Sequence, residues 1–244
     1  MIEDSSVVMV EKLSKSFGSF TAVRDLSFSL EKGSLTGLLG GNGAGKTTTI
    51  SMLLGLLKPS SGSIAIFGDP FHQNREKILS RMNFCSPYVD LPQRLTVREN
   101  LSVFARLYQV FDPVQRIEEL AGEFKLGDFI DKPVRRLSSG QKTRVTLVKA
   151  LINKPEFLLL DEPTASLSPD VSIWIRERLK NYRDQTGATI LFASHDMREV
   201  EMLCDRVLIM NKGSLIDQGS PAELMEKHQR ESLEEVFLSV SEEK

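Results

Sequence analysis

The sequence predicts an α/β protein, a largely parallel sheet packed with helices and interrupted near residues 87–153 by a mainly helical insertion. Three observations carry this. Short apolar runs alternate with helix-period stretches along the chain, the pattern of successive strand–helix units. Two of those runs end in chemistry, "SLTGLLG" in a glycine loop and "FLLLD" in a pair of carboxylates. Between them, "LTVREN" and Asp112-Pro113 open helices instead of strands.

Taken in order, "VVMV" (7–10) and "SLTGLLG" (34–40) read as short buried strands. Residues 46–57 read as a helix, and "SIAIFG" (63–68) as a strand after the turn-forming "KPSSG". Thr96 and Glu99 form a capping box that opens a helix running to about Tyr108. Asp112-Pro113 opens another through Phe124, and residues 138–153 make a third with Val145, Leu147, Val148 and Leu151 as its apolar positions. A buried strand "EFLLLDEP", a helix over 169–184, a strand "ATILFASH" and a helix "DMREVEMLC" follow. "RVLIMNKGSLIDQG" reads as a hairpin turning at residues 211–213.

Composition sets the outer bounds. The chain of 244 residues, 41% hydrophobic and 26% charged, is an ordinary globular sequence. A net charge of -2 and the lack of a basic stripe argue against nucleic acid as a partner. Cys85 and Cys204 stand far apart, which suits a reducing compartment better than a disulfide scaffold. The acidic start "MIEDSSVVMVEKL" has no basic, then apolar, leader pattern, and "ISMLLGLL" is too short to cross a bilayer. The expectation is a cytoplasmic protein with any membrane path supplied by other subunits.

The strongest chemical signal is "GGNGAGKT" at residues 40–47, which fits G-x-x-x-x-G-K-[ST] between an apolar strand and a helix. Glycines let backbone N–H groups surround a β-phosphate, Lys46 reaches the β- and γ-phosphates, and the Thr47 hydroxyl can take a Mg²⁺ ion. Asp161 and Glu162 then stand at a strand's carboxyl end, where open α/β sheets bind ligands. Alone, an acidic pair there is a solvated loop start. Beside a phosphate loop, one carboxylate can hold Mg²⁺ through water and the next can polarise the attacking water, the two roles phosphoryl transfer needs. A second anion site is suggested by "RRLSSGQKTRV", whose small residues open a helix at its positive end.

Together, "LSSGQ" (137–141), "FLLLDEP", "ASHD" (193–196), "KSFGSFTAV" (15–23) and "DRVLIMNKGSLIDQGSPAEL" resemble the motifs of ATP-binding cassette (ABC) proteins, in that family's order. The resemblance implies a P-loop NTPase core of the RecA-like type, with an antiparallel β subdomain and the helical insertion. It spans a cassette over residues 5–225, followed by a helical tail over 226–244. It implies ATP and Mg²⁺ as cofactors. Phe17 would stack on adenine, and Gly40, Gly41, Asn42, Gly43, Ala44, Gly45, Lys46, Thr47 and Thr48 would wrap the phosphates. Thr47 and Asp161 would serve the metal, Glu162 would polarise the water, and His195 would contact the γ-phosphate beside Lys46. Ser138, Ser139, Gly140 and Gln141 would cap the γ-phosphate held by a second cassette, in a homodimer or a heterodimer. His72 and His228 have no such context and read as surface residues, and Trp174 as packing.

Two positions depart from the family pattern. Pro87 stands where a glutamine is usual, so that one Mg²⁺ ligand is missing or supplied by Ser86, Tyr88 or water. Ser168 replaces an aspartate after Leu167. The helical region and the tail "SLEEVFLSVSEEK" resemble ATPase subunits of ABC-2 type exporters, which implies membrane-spanning permease partners and a peripheral place on the cytoplasmic face of the membrane. Leu233, Val236, Phe237 and Val240 fall on one stripe of the tail, facing either the chain's own domain or a partner. The rival readings are a cassette ATPase that does not transport and a low-turnover nucleotide switch. The interval from Lys46 to Asp161 carries no sustained heptads, unlike the coiled-coil repair and chromosome machines.

Overall fold

The computed structural model describes residues 6–86, 90–165 and 167–242. Two sheets organise it. The first is antiparallel and joins β1 (Ser6–Phe17), β2 (Phe20–Glu31), β4 (Ser61–Ile66) and β5 (Asp69–Pro70) in the order β2-β1-β4-β5. The second joins β3 (Leu35–Leu39), β6 (Met82–Cys85), β7 (Phe157–Asp161), β8 (Thr189–Ser194), β9 (Arg206–Asn211) and β10 (Ser214–Gly219) in the order β10-β9-β3-β8-β7-β6. Every neighbouring pair in it is parallel except β9 and β10, the expected hairpin.

The central strands are buried along their whole length, so they read as continuous apolar runs. Side chains still alternate in direction. Leu158 and Leu160 of β7, with Ile190 and Phe192 of β8, face a core shared with the helical region. Leu159, Leu191 and Ala193 face the opposite core, built with Val8, Val10, Leu26 and Ile64 of the antiparallel sheet. The parallel sheet is thus the middle layer between the two cores.

Helices follow the strands. They are α1 (Lys46–Leu53), α2 (Arg75–Ser80), α3 (Val97–Leu107), α4 (Pro113–Glu123), α5 (Ser139–Leu151), α6 (Pro169–Thr186), α7 (Met197–Leu203), α8 (Pro221–His228) and α9 (Leu233–Glu242). The capping box at α3 forms as expected: Thr96 Oγ1 accepts from Glu99 N, and Glu99 Oε2 accepts from Thr96 N at 2.8 Å. Asp112 caps α4 by accepting from Gln115 N at 3.0 Å. Helix α1 ends at Leu53, short of the expected residue 57, because the chain turns at Gly55 with φ 66.

The long strand β2 and the short strand β6 were not expected from the sequence. The tail helix α9 buries Leu233, Val236 and Val240 against α7 and α8, and Leu233 N donates to Glu201 Oε2 at 3.1 Å. Its stripe faces the chain's own core. Trp174 packs edge-on against Phe124 with ring centroids 5.6 Å apart, as packing predicts. His72 is exposed, whereas His228 is half-buried and its Nε2 lies 2.6 Å from Asp217 Oδ2. Both cysteines are free and buried, and burial pushes the Cys85 thiol up to about 12.

Candidate active site

Sheet order brings the site together. Strand β8 lies between β3 and β7, so the loops leaving their carboxyl ends are neighbours although far apart in sequence. The loop after β3 carries Gly40 and Gly41, the loop after β7 carries Glu162, and the loop after β8 carries His195.

The phosphate loop has close neighbours on both sides. Gly45 caps α1 with φ 102, a left-handed conformation, and a Cβ there would stand 2.8 Å from Ala22 O on β2. A Cβ on Gly40 would stand 2.7 Å from Met210 O on β9, so both positions exclude larger residues. Lys46, the first residue of α1, is buried, and its Nζ donates to Gly40 O at 2.6 Å and Gly41 O at 3.3 Å. Burial lowers the Lys46 pKa, opposed by the charges of Glu162 and Asp161. The loop thus folds around its own cation, whose bonds to carbonyls can be exchanged for bonds to an anion. A cavity of about 250 Å³ above it is lined by residues 41–48, Asp161, Glu162, Phe20 and Ala22.

Asp161 is buried at the end of β7. Burial raises its carboxyl pKa, as does the charge of Glu162, against the pull of Lys46 and a hydrogen bond with Thr47. Glu162 leaves the strand with φ 50, a conformation few residues with a Cβ adopt, and its N–H donates to Ala193 O at 2.9 Å. That turn places Glu162 Oε2 2.8 Å from His195 Nδ1. Glu162 also lines two further cavities, of about 390 and 400 Å³, that flank the start of α5 and the loop before α6.

The raised Asp161 carboxyl has a consequence for stability. A carboxyl raised on folding stabilises the fold below its unfolded pKa, and that contribution is lost as pH rises through the folded value. At neutral pH its charge is a liability in the nucleotide-free chain. Asp161→Asn is therefore expected to raise the Tm of that chain by about 2–4 °C, the shift that ~1 kcal/mol makes at this size. The gain should shrink as the pH falls toward the unfolded value of about 3.9 and vanish well below it, where the aspartate is protonated in both states. Scanning calorimetry of both chains at pH 7 and pH 4 checks this, and equal Tm values at pH 7 would refute it.

At the start of α5, Ser138 and Gln141 close a capping box on each other: Ser138 Oγ accepts from Gln141 N, and Gln141 Oε1 accepts from Ser138 N at 3.0 Å. Their side chains are engaged locally, and Ser139 and Gly140 occupy the first turn, at the positive end of the helix dipole. Phe17 closes β1 half-exposed, with Lys15 Nζ 5.1 Å from its ring centroid. Phe20, not Phe17, lines the cavity over the phosphate loop. Ser168 precedes α6 and is hydrogen-bonded to the Asp170 carboxylate, which it holds below its usual range. Pro87 and Tyr88 lie outside the described residues.

Sequence reasoning missed three residues of this region, Phe20, Phe237 and Glu199. Phe237 of α9 approaches the phosphate loop, its ring 3.8 Å from where a Cβ on Gly41 would stand. Glu199 is buried between the loops that carry Glu162 and His195. The second aromatic in "KSFGSF" was the available signal for Phe20. Glu199 carried none beyond its place three residues into a capped helix.

Comparison with known proteins agrees with this geometry. Residues 23–165 match the family described as ABC transporter. The chain is 39% identical over 228 residues to a Nod factor export ATP-binding protein I from Ralstonia nicotianae, covering 92% of this chain and 70% of that one. It is 41% identical to the protein of the same name from Burkholderia orbicola, over 87% and 70% of the two chains. Among solved structures, an ATP-binding subunit of an ABC transporter superposes with a TM-score of 0.88 at 27% identity, covering 96% of this chain and 99% of that one. The cbiO1 subunit from Clostridium perfringens, part of the cbiONQ transporter complex, gives 0.82 at 30% identity over 91% and 92%. A mixed α/β fold with this sheet order, a phosphate loop facing an acidic pair and matches along nearly the whole chain lead to one conclusion: the chain belongs to the ABC transporter family, as an ATP-binding and ATP-hydrolysing subunit.

Proposed function

We propose that this subunit powers export through separate membrane-spanning permease subunits, by ATP-driven closure of two cassettes and reopening on hydrolysis. The observation that carries the catalytic part is the 2.8 Å contact between Glu162 and His195 beside the phosphate loop. In this reading Lys46 exchanges its carbonyl partners for β- and γ-phosphate oxygens, and the N–H groups of residues 41–48 surround the chain of phosphates. Phe17 and Phe20 supply aromatic faces for the base. Glu162 orients and polarises the attacking water, and His195 fixes the Glu162 carboxylate and contacts the γ-phosphate.

Mg²⁺ fits the residues present. The Thr47 hydroxyl and Asp161 carboxylate are hydrogen-bonded, are both hard oxygen ligands, and the Asp161 pKa is raised in a way that a nearby cation would relieve. Among the described residues no group of three or more His, Cys, Asp or Glu could hold a metal alone, which suits an ion that completes its shell with phosphate oxygens and water. Thr47 and Asp161 would hold it, and it would neutralise charge building on the phosphates.

Ser138, Ser139, Gly140 and Gln141 would meet the γ-phosphate bound by a second copy, making ATP the contact between two chains. Two identical cassettes form the simplest such pair, and a related partner chain would serve equally. The direction of transport rests on the Nod factor export relatives. Among the described residues no helix is long and apolar enough to cross a membrane, and this reading places the chain on the cytoplasmic face, held there by the permease. The docking face it favours lies on α3, α4 and the turn that joins them, where Leu107 is 70%, Phe111 103% and Val114 71% exposed. Leu107→Asp combined with Phe111→Asp is expected to abolish co-purification with the permease while ATP hydrolysis by the isolated chain stays within about twofold. Undiminished co-purification would remove this face from the reading.

A further inference from the structure

Helices α3, α4, α5, α7 and α8 have Glu or Gln three residues after a Ser, Thr or Asp cap, and of these five side chains the one at α7 alone is buried. At α3, α5 and α8 the residue at that position, Glu99, Gln141 or Glu223, turns back and accepts from the N–H of its own cap. At α7 the cap is Asp196, which accepts from Glu199 N at 3.2 Å, but the Glu199 side chain does not turn back. The N–H of Asp196 is taken by Ser194 Oγ at 3.1 Å instead. Glu199 is only 3% exposed, a costly place for a carboxylate unless it is well partnered.

Its partners come from three elements. Thr164 Oγ1, two residues beyond Glu162, donates to Glu199 Oε2 at 2.6 Å. Ser194 Oγ, next to His195, lies 3.5 Å from the same oxygen. Arg176 Nη1 of α6 lies 3.5 Å from Glu199 Oε1. Burial raises the Glu199 carboxyl pKa, while Thr164 and Arg176 pull it down and the charges of Asp196 and Glu162 push it up. The charged form is therefore most stable when both loops sit where they are found.

We propose that Glu199 is a positioning residue of the hydrolytic site: one buried carboxylate ties the loop after Glu162 to the end of β8, where His195 follows Ser194, and sets the spacing of that pair. Arg176 extends the tie to α6, whose first turn follows Leu167 and Ser168, so movement of that helix would reach both loops through the same carboxylate. The physical reason is geometric. The Glu162–His195 contact joins two loop side chains, His195 is largely solvent-exposed, and loops without a fixed support drift. Displacement of such a pair by about 1 Å costs roughly 10²-fold in rate.

The inference rests on the reading of Glu162 as the water-polarising carboxylate, and the test separates the two. Steady-state ATPase and calorimetric ATP affinity are measured with Mg²⁺ for the full chain and for Glu199→Ala, Glu199→Gln, Thr164→Val, Glu162→Gln and the control Glu223→Ala. Glu199→Ala is expected to lower kcat at least about tenfold with ATP Kd changed by less than about threefold, because the phosphate loop is untouched. Glu199→Gln keeps the shape and an acceptor for Thr164, and should recover most of the loss. Thr164→Val should lower kcat several-fold, and combining it with Glu199→Ala should cost little more, since both cut one tie. Glu223→Ala, which removes only a cap on α8, should leave kcat unchanged. A Glu199→Ala chain with kcat within about twofold of the parent overturns the proposal, as does an equal loss in affinity and kcat. If Glu199→Ala fails to fold, Thr164→Val decides, and parental kcat there overturns it. Normal turnover by Glu162→Gln would sink the site reading itself. An inactive Glu162→Gln beside a fully active Glu199→Ala would sink this inference alone.

Discussion

Glu162→Gln is expected to bind ATP as tightly as the parent chain and to hydrolyse it about 10²–10⁴-fold more slowly, the usual worth of a positioned general base. The amide has the carboxylate's shape, so the turn at φ 50 and the bond from Glu162 N to Ala193 O should survive. What is lost is the negative charge that polarises water and pairs with His195 at 2.8 Å. Because binding outlives turnover, the nucleotide-bound pair of cassettes should accumulate. Gel filtration with MgATP should show a species of twice the mass, absent without nucleotide and transient in the parent chain. Hydrolysis at the parental rate would assign the catalytic carboxylate elsewhere.

Lys46→Ala is expected to weaken ATP binding by about 10²-fold, which corresponds to removing charge-assisted bonds to two phosphate groups. The structure adds a second consequence. Lys46 Nζ now satisfies Gly40 O and Gly41 O, so the variant strips the loop of its internal cation as well as its ligand contact. Hydrogen exchange at residues 40–45 should therefore quicken in the nucleotide-free variant. Calorimetry with Mg²⁺ measures the first effect, and near-parental affinity would show that the loop holds something other than phosphates.

Local chemistry was legible in the sequence wherever it acts over three or four residues. The capping box at Thr96 was read because a side chain and an N–H three residues on are always neighbours at a helix start, whereas the one at Ser138 was read only as the start of a helix. Strands β7 and β8 were readable because burial on both faces leaves an unbroken apolar run. Strand β2 was not. It alternates burial and exposure, and its pairing with β1 slips at Val10/Leu13 and Leu13/Lys15, which breaks the period of two. Strand β6 has only four residues and includes the buried polar Asn83, satisfied by Lys149 O and by Asn153 across the fold.

The sequence by itself determined the motifs, a phosphate-loop pattern ending in Lys46 and Thr47 and a carboxylate pair at Asp161 and Glu162, while His195 entered the proposed chemistry through the family resemblance. Only the tertiary structure decided which of these meet and what holds them. Placing β8 between β3 and β7 made neighbours of three loops separated by long stretches of chain. It turned the stripe of α9 inward and set the Phe237 ring beside Gly41. It also took Glu199 from a role as a helix cap and buried it between Thr164 and Ser194. The reason is one of range. Motifs are written in bonds between residues a few positions apart, whereas the partners of a buried carboxylate or an aromatic ring are chosen by how whole elements pack, and no short window of sequence contains that choice.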